Sequence, residues 1–172
     1  MVKVGKKAPE FSVAAYDSGD FRTVSLTDYK GKWVVLFFYP LDFSALCPTE
    51  VTAFNKHLDE FRKLNAEVVG ASVDSKFSHK AWDEKELGGV QFPILSDFNK
   101  EISNRYGILD DRVNAAQRGT FIIDPEGILR YYVVSDLGIG RSVAETLRVL
   151  KALQTGEMCP AEWAPGEKTL GK

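Results

Sequence analysis

Trp33-Val-Val-Leu-Phe-Phe-Tyr39, followed by Pro40-Leu-Asp-Phe-Ser44-Ala-Leu-Cys47-Pro48-Thr49-Glu50, joins the most apolar run of the chain to a single thiol. The run has the length and the β-branched and aromatic content of a buried strand. Cys47 to Glu50 carries the marks of a helix start, with Pro in the first turn and Glu three residues after the cap. A thiol at that junction faces unpaired N–H groups and the positive end of the helix dipole, which favour its thiolate over its thiol. A thiolate is a nucleophile.

The flanking sequence extends this strand-to-helix unit. Residues 11–26 alternate around Asp17-Ser-Gly-Asp20, which predicts a hairpin leading into the Trp33 strand. Phe54, Leu58, Phe61 and Leu64 recur at spacings of three and four and predict one apolar helix face after the thiol. Glu67-Val-Val-Gly-Ala-Ser-Val-Asp74 reads as a second buried strand, followed by a polar helical segment through Trp82, a short strand in Pro93-Ile-Leu-Ser-Asp97 and a short helix near Ile102 and Tyr106. Two strands, 120–124 and 129–134, flank the turn Pro125-Glu-Gly127 and are expected to pair antiparallel. The last helix begins at Ser142-Val-Ala-Glu145, a capping-box pattern, carries Val143, Leu147 and Leu150 as its stripe, and ends at Gly156. This order predicts an α/β fold with a mixed sheet flanked by helices. One domain over 1–155 and an irregular tail over 156–172 are expected.

The chain has 172 residues, 44% hydrophobic and 27% charged, enough for one well-buried core. Its 22 Lys and Arg against 24 Asp and Glu give a net charge of -2, so there is no broad attraction to phosphate backbones or anionic membranes, and neither is expected as a partner. The opening Met1-Val-Lys-Val-Gly-Lys-Lys-Ala-Pro-Glu10 lacks the apolar segment of a secretory signal, and no run approaches the roughly 18 apolar residues of a membrane helix. A soluble, cytoplasmic protein is the expectation. In that compartment a permanent disulfide between Cys47 and Cys159 is not expected, which leaves two free thiols or a pair that cycles.

Each candidate residue has a structural and a chemical reading. Cys47 is either a small core residue or an activated thiol. Ser44 is either a turn residue or a hydroxyl presented near the sulfur, and Pro40 either ends the strand or helps exclude water from the thiolate. Arg118, before a buried strand, and Arg141, before the last helix, are either solvated cations or forks of donors for a thiolate and a polar substrate. Other chemistries find little footing. His57 and His79 are poorly spaced for a Cys-His dyad, and no Cys-x-x-Cys or His-x-x-x-His pair offers a zinc chelate. Gly138-Ile-Gly140 lacks the third Gly of a dinucleotide fingerprint. No metal or cofactor is expected.

Pro40-x-x-x-Ser44-x-x-Cys47 within Phe37-Phe-Tyr-Pro-Leu-Asp-Phe-Ser-Ala-Leu-Cys-Pro-Thr-Glu50 resembles the active-site motif of the peroxiredoxins. Arg118-Gly-Thr-Phe-Ile-Ile-Asp124, Asp136-Leu-Gly-Ile-Gly-Arg141-Ser142 and Gly156-Glu-Met-Cys159-Pro-Ala-Glu-Trp163 look like the matching blocks of the typical two-cysteine subgroup. The resemblance implies a thioredoxin-like fold and a thiol-specific peroxidase. Cys47 matches the peroxidatic cysteine, which attacks the O–O bond of a hydroperoxide and becomes a sulfenic acid. Arg118 matches the arginine that orients thiolate and peroxide, Pro40 the residue that shields the pocket, and Glu50 and Arg141 a supporting polar network. Ser44 stands where the family usually has Thr, keeping the hydroxyl without the β-branch. Cys159 matches the resolving cysteine, supplied in the family by the partner chain. That implies a homodimer with intersubunit disulfides, often a ring of five dimers, reduced by a thioredoxin-like protein or a flavoprotein disulfide reductase. Oxidation-sensitive members carry Gly-Gly-Leu-Gly and a C-terminal Tyr-Phe pair. Here the matching segment is Leu87-Gly-Gly-Val-Gln91 and that pair is missing, so resistance of Cys47 to overoxidation is expected.

Overall fold

A computed structural model describes residues 2–172. The chain forms two compact units, one ending at Arg141 and the other comprising Ser142–Lys172. The first is built on a seven-stranded mixed sheet whose strands lie in the spatial order β2 (Asp20–Ser25), β1 (Ser12–Asp17), β5 (Ile94–Ser96), β4 (Ala66–Ser72), β3 (Trp33–Phe38), β8 (Arg118–Ile123) and β9 (Leu129–Ser135).

The expected hairpin is β1 (Ser12–Asp17) and β2 (Asp20–Ser25), paired from Ser12 with Ser25 to Asp17 with Asp20. Its two turn residues, Ser18 at φ 51° and Gly19 at φ 98°, take the left-handed backbone that a two-residue hairpin turn needs. The central strand β3 (Trp33–Phe38) pairs parallel with β4 (Ala66–Ser72) and antiparallel with β8 (Arg118–Ile123). Beyond β4 lies β5 (Ile94–Ser96), parallel to it and antiparallel to β1. The far edge is β9 (Leu129–Ser135), antiparallel to β8. Between these two strands Asp124 accepts the N–H groups of Glu126 and Ile128 at 3.0 and 2.8 Å, and Gly127 adopts φ 79°.

Alternation along β3 divides the core. Phe37 stacks on Phe54 of α1 (Cys47–Lys56) at 4.2 Å between centroids, and Phe54 meets Phe61 of α2 (Leu58–Lys63) at 6.0 Å. Phe38, on the opposite side, packs against Tyr106 and Phe121 at 5.4 and 5.8 Å, close to Ile102 of α4 (Glu101–Arg105). Two side-chain sets of opposite parity thus bury both faces of one strand, as a continuous apolar run predicts. The polar segment after β4 is α3 (Lys76–Trp82), capped by Ser75 accepting from Ser78 N at 3.1 Å and followed by a π-helical turn over Asp83–Leu87.

Three features differ from expectation. The helix after the thiol breaks at His57, where the backbone reaches φ −99°, ψ 9° and the imidazole pairs with Glu60 at 2.7 Å, although the apolar face continues across the break. A small hairpin, β6 (Leu109–Asp110) with β7 (Ala115–Ala116), was not foreseen because strands this short carry no alternation. In the second unit, Ser142 caps α5 (Val143–Thr155) by accepting from Glu145 N at 3.1 Å, but the capping box is only half formed: the Glu145 carboxylate pairs with Arg148 at 2.6 Å.

Gly156, at φ 66°, ends α5 as expected. The tail after it has neither helix nor strand, yet it is held by Met158 N to Gly171 O at 2.9 Å and Leu170 N to Met158 O at 2.8 Å. Trp163 is buried in this unit, with its Nε1 donating to Glu167 O at 3.1 Å. No helix among the described residues is long and apolar enough to cross a membrane.

Candidate active site

The carbonyl end of β3 releases the chain at Tyr39, and Pro40 to Leu46 carry it to the first turn of α1. Leu46 is the N-cap, Cys47 opens the helix, and no side chain caps it. The expected geometry is therefore displaced by one position. Glu50 lies in the fourth helical residue rather than three after the cap, and its carboxylate turns toward two arginines instead of the cap N–H. The guanidinium forks offer it charged donors that the cap cannot match.

Cys47 is a free thiol with no exposed surface. Arg118 Nη1 lies 3.4 Å from its Sγ and 2.6 Å from Glu50 Oε2, while Arg118 Nε donates to Leu137 O at 2.7 Å. The guanidinium is thus fixed at three points, two on one nitrogen and one on another. Arg141 completes the clamp on Glu50: its backbone N and Nε donate to Oε1 at 2.9 Å each, and Nη2 donates to Oε2 at 2.7 Å. Its Nη1 donates to the carbonyls of Phe38 and Gly119 at 2.6 and 2.9 Å, and its Cζ lies 5.2 Å from the Phe37 ring centroid.

The side chains of Glu50, Arg118 and Arg141 are 2%, 5% and 3% exposed, so this is a buried cluster of two cations and one anion. Burial pushes the Glu50 carboxyl up, but the hydrogen bonds and charge of Arg141, with the charge of Arg118, outweigh it and hold the group below the ordinary carboxylate range. With one carboxylate between two guanidiniums, the cluster keeps a net positive charge, and the sulfur is the next group along. A cation at 3.4 Å and the N-terminal turn of a helix both complement negative charge on that atom.

Pro40 and Ser44 are half-buried in the connection before α1. The Ser44 hydroxyl donates to Leu41 O at 3.0 Å, which is a turn contact; the hydrogen bond at the sulfur comes from Arg118. Cys159 is a half-buried free thiol in the second unit, 3.6 Å from Thr155 Oγ1 and 3.8 Å from Ala152 O. The backbone carbonyls of Phe38, Gly119 and Leu137 were invisible in the sequence, because a carbonyl leaves no residue-type signature. The loop from Asp136 to Arg141 supplies the third of them and brings Gly140 against Leu46, where an added Cβ would stand 3.4 Å from Leu46 Cδ1.

Comparison with known proteins matches residues 4–132 to the AhpC/TSA family. Peroxiredoxin 1 of Brugia malayi is 51% identical over 174 residues, covering 95% of this chain and 76% of its own length. Peroxiredoxin-2 of Mus musculus is 49% identical over 177 residues, covering 98% and 89%. The crystal structure of the reduced 2-Cys peroxiredoxin of Plasmodium vivax superposes with a TM-score of 0.95 at 40% identity, covering 98% of this chain and 93% of that one. The thioredoxin-like fold expected from the motifs is therefore the fold observed. Identity of about half to the two relatives and a superposable backbone in the solved structure extend over nearly the whole chain: the chain belongs to the AhpC/TSA family of peroxiredoxins, oxidoreductases of the peroxidase class.

Proposed function

We propose that this chain reduces hydrogen peroxide and organic hydroperoxides through Cys47, and that Cys159 of the partner subunit resolves the product as an intersubunit disulfide. The observation that carries this reading is the Arg118 guanidinium, held 3.4 Å from a fully buried Cys47 Sγ by Glu50 and Leu137 O. The Cys47 thiolate attacks the distal oxygen of ROOH. An S–O bond forms as the O–O bond breaks, giving Cys47–SOH, and the departing RO⁻ takes a proton to leave as ROH. Arg118 and the first-turn N–H groups stabilise the charge that builds on the leaving oxygen. The proton of Ser44 is committed to Leu41 O, which leaves its oxygen as an acceptor for the hydroxyl of the peroxide. Pro40 shields the sulfur from water, and Glu50 with Arg141 holds Arg118 in register.

Cys159 then attacks the sulfenic sulfur. The disulfide requires Cα atoms within about 7 Å, so the first turn of α1 unwinds to release a sulfur that is otherwise buried. Dimerisation is supported by β9, an edge strand of the sheet that exposes Tyr132, Val133 and Val134. We assign recycling to a thioredoxin-like protein or a flavoprotein disulfide reductase, and assembly to dimers that close into a ring of five.

A non-reducing gel after one equivalent of peroxide tests the pairing. A covalent dimer in the wild type, absent in Cys47→Ser and Cys159→Ser, is the expected result. A monomer band throughout, with both thiols lost, would overturn intersubunit resolution.

A further inference from the structure

The end of the sheet opposite Cys47 carries a cleft that the peroxidase chemistry does not use. Val34 near the start of β3 pairs with Ile123 at the end of β8, whereas the sulfur follows the other end of β3. These two residues line a cleft of about 240 Å3, together with Leu26, Tyr29 and Pro125. Three chain segments wall it and are fastened to one another. Lys7 forms a β-bridge with Ile128, Ala8 N donates to Gly127 O at 2.9 Å, and Gly31 N donates to Pro125 O at 3.1 Å. Backbone bonds therefore set the shape of the cleft before any ligand arrives.

Lys7, Lys30 and Lys32 stand at its rim with Glu10, Asp124 and Glu126, so charge is nearly balanced there. Lys32 is held by Glu67 at 2.6 Å, and Asp124 by Arg130 at 2.5 Å. The balance ends at Lys7. Its Nζ donates to Glu126 O, and a Cβ added at Gly127 would stand 3.7 Å from that nitrogen.

On the far side of Lys7 lies a second hollow, of about 370 Å3, lined by Val2, Lys3, Lys6, Lys7, Pro9 and Arg105. Four cations line it and no carboxylate does. Arg105 Nη1 donates to Glu10 O at 3.2 Å and Tyr106 Oη to Pro9 O at 2.9 Å, which ties this N-terminal segment to α4. The ammonium groups of Lys3 and Lys6 have no partner among the described residues. With a net charge of -2 over the whole chain, this is a local concentration of cations rather than a broad field.

An apolar slot joined by one lysine to an unneutralised cationic shelf suits a ligand with a flat ring at one end and several negative charges at the other. A hydroperoxide has neither. Together the hollows fall within the roughly 300–1,000 Å3 of ordinary ligand sites. We propose that they form one binding site for a nucleoside polyphosphate. The base enters the cleft beside Tyr29, and the phosphates rest on Lys3, Lys6, Lys7 and Arg105, which supply the charge-assisted hydrogen bonds that phosphate oxygens accept.

Isothermal titration calorimetry of the reduced full-length protein with ATP, tripolyphosphate and adenosine, without divalent cation, tests the site. ATP is expected to bind once per chain with a Kd below about 1 mM, and tripolyphosphate about tenfold more weakly. Adenosine alone gives no saturable heat. Lys7→Gln should weaken ATP by about tenfold, and Lys3→Gln and Lys6→Gln should weaken ATP and tripolyphosphate in the same proportion. Tyr29→Leu should bring ATP down to the affinity of tripolyphosphate and leave tripolyphosphate unchanged, a split that general destabilisation would not produce. Should Tyr29→Leu not fold, nuclear Overhauser contacts from the ATP base to the Val34 and Ile123 methyls of the wild type report the same subsite.

No saturable ATP binding up to about 5 mM, or a Kd unchanged in folded Lys7→Gln, would overturn the inference. So would tripolyphosphate binding as tightly as ATP, since the cleft would then hold no base. Peroxide reduction enters none of these measurements, so the peroxidase reading stands or falls separately.

Discussion

Replacing Glu50 with Gln removes the one carboxylate between two buried guanidiniums while keeping the shape of the side chain. Four hydrogen bonds now end on that carboxylate, one from Arg118 and three from Arg141, at 2.6 to 2.9 Å. An amide retains one acceptor oxygen and turns an NH2 group toward donors, so at least one guanidinium is left buried and unpaired. Breaking a buried ion pair from one side costs about 3–5 kcal/mol, and the retained oxygen places Glu50→Gln near the lower figure. For a chain of this size about 3 kcal/mol corresponds to a fall in Tm of roughly 6–12 °C.

The sign of the pH dependence follows from the direction of the Glu50 shift. Its carboxyl is held below the ordinary range in the folded protein, so its stabilisation is fully present above the unfolded value of about 4.3 and is lost as pH falls through the folded value. Urea unfolding of reduced wild type and Glu50→Gln should therefore show a gap that is widest from pH 5 upward and narrows below pH 4. A gap under about 0.5 kcal/mol at pH 7, or one that widens on acidification, would refute the view that this carboxylate neutralises the cluster.

Removing the donor at the sulfur, in Arg118→Ala, should slow single-turnover peroxide reduction by about 10²–10³-fold with the fold retained, as stopped-flow against circular dichroism will show. Gly119→Ala places a Cβ 2.8 Å from Phe121 Cε2 and 3.1 Å from Ile108 Cδ1, so denaturant unfolding should report a loss of about 1–3 kcal/mol. Phe54→Ala opens a cavity under the Phe37 ring now stacked at 4.2 Å and should cost about 3–5 kcal/mol in the same assay. The segment Leu87-Gly-Gly-Val-Gln91 leads us to expect that low-millimolar peroxide leaves most activity intact; rapid inactivation with sulfinic acid at Cys47 by mass spectrometry would contradict that.

Local patterns made much of the fold legible. The Asp17-Ser-Gly-Asp20 turn, the apolar run of β3 and the spacing from Phe54 to Phe61 each fix a conformation through nearest neighbours. The break at His57 was hidden because the apolar face continues across it. Glu50 and Glu145 turn away from their helix caps for one reason: each finds an arginine partner stronger than the backbone N–H that sequence proximity offers. At the candidate site, Cys47, Glu50, Arg118 and Arg141 converge as the motifs led us to expect, although their separation along the chain gives no physical reason for it without the β3 and β8 pairing. The carbonyls that steer the two arginines, and the buried contact of the Asp42 carboxylate with His79 Nδ1 at 2.8 Å, exist only once the sheet and α3 are assembled. Nothing in either residue's local sequence points to the other.

The central claim is that the sulfur facing Arg118 is the atom that takes oxygen from a hydroperoxide. Cys159→Ser protein treated with one equivalent of peroxide and a dimedone trap, followed by peptide mass spectrometry, tests it most directly. One dimedone adduct per chain, confined to Cys47 and accompanied by consumption of the peroxide, is the expected result. An unmodified Cys47 with peroxide remaining would contradict the account.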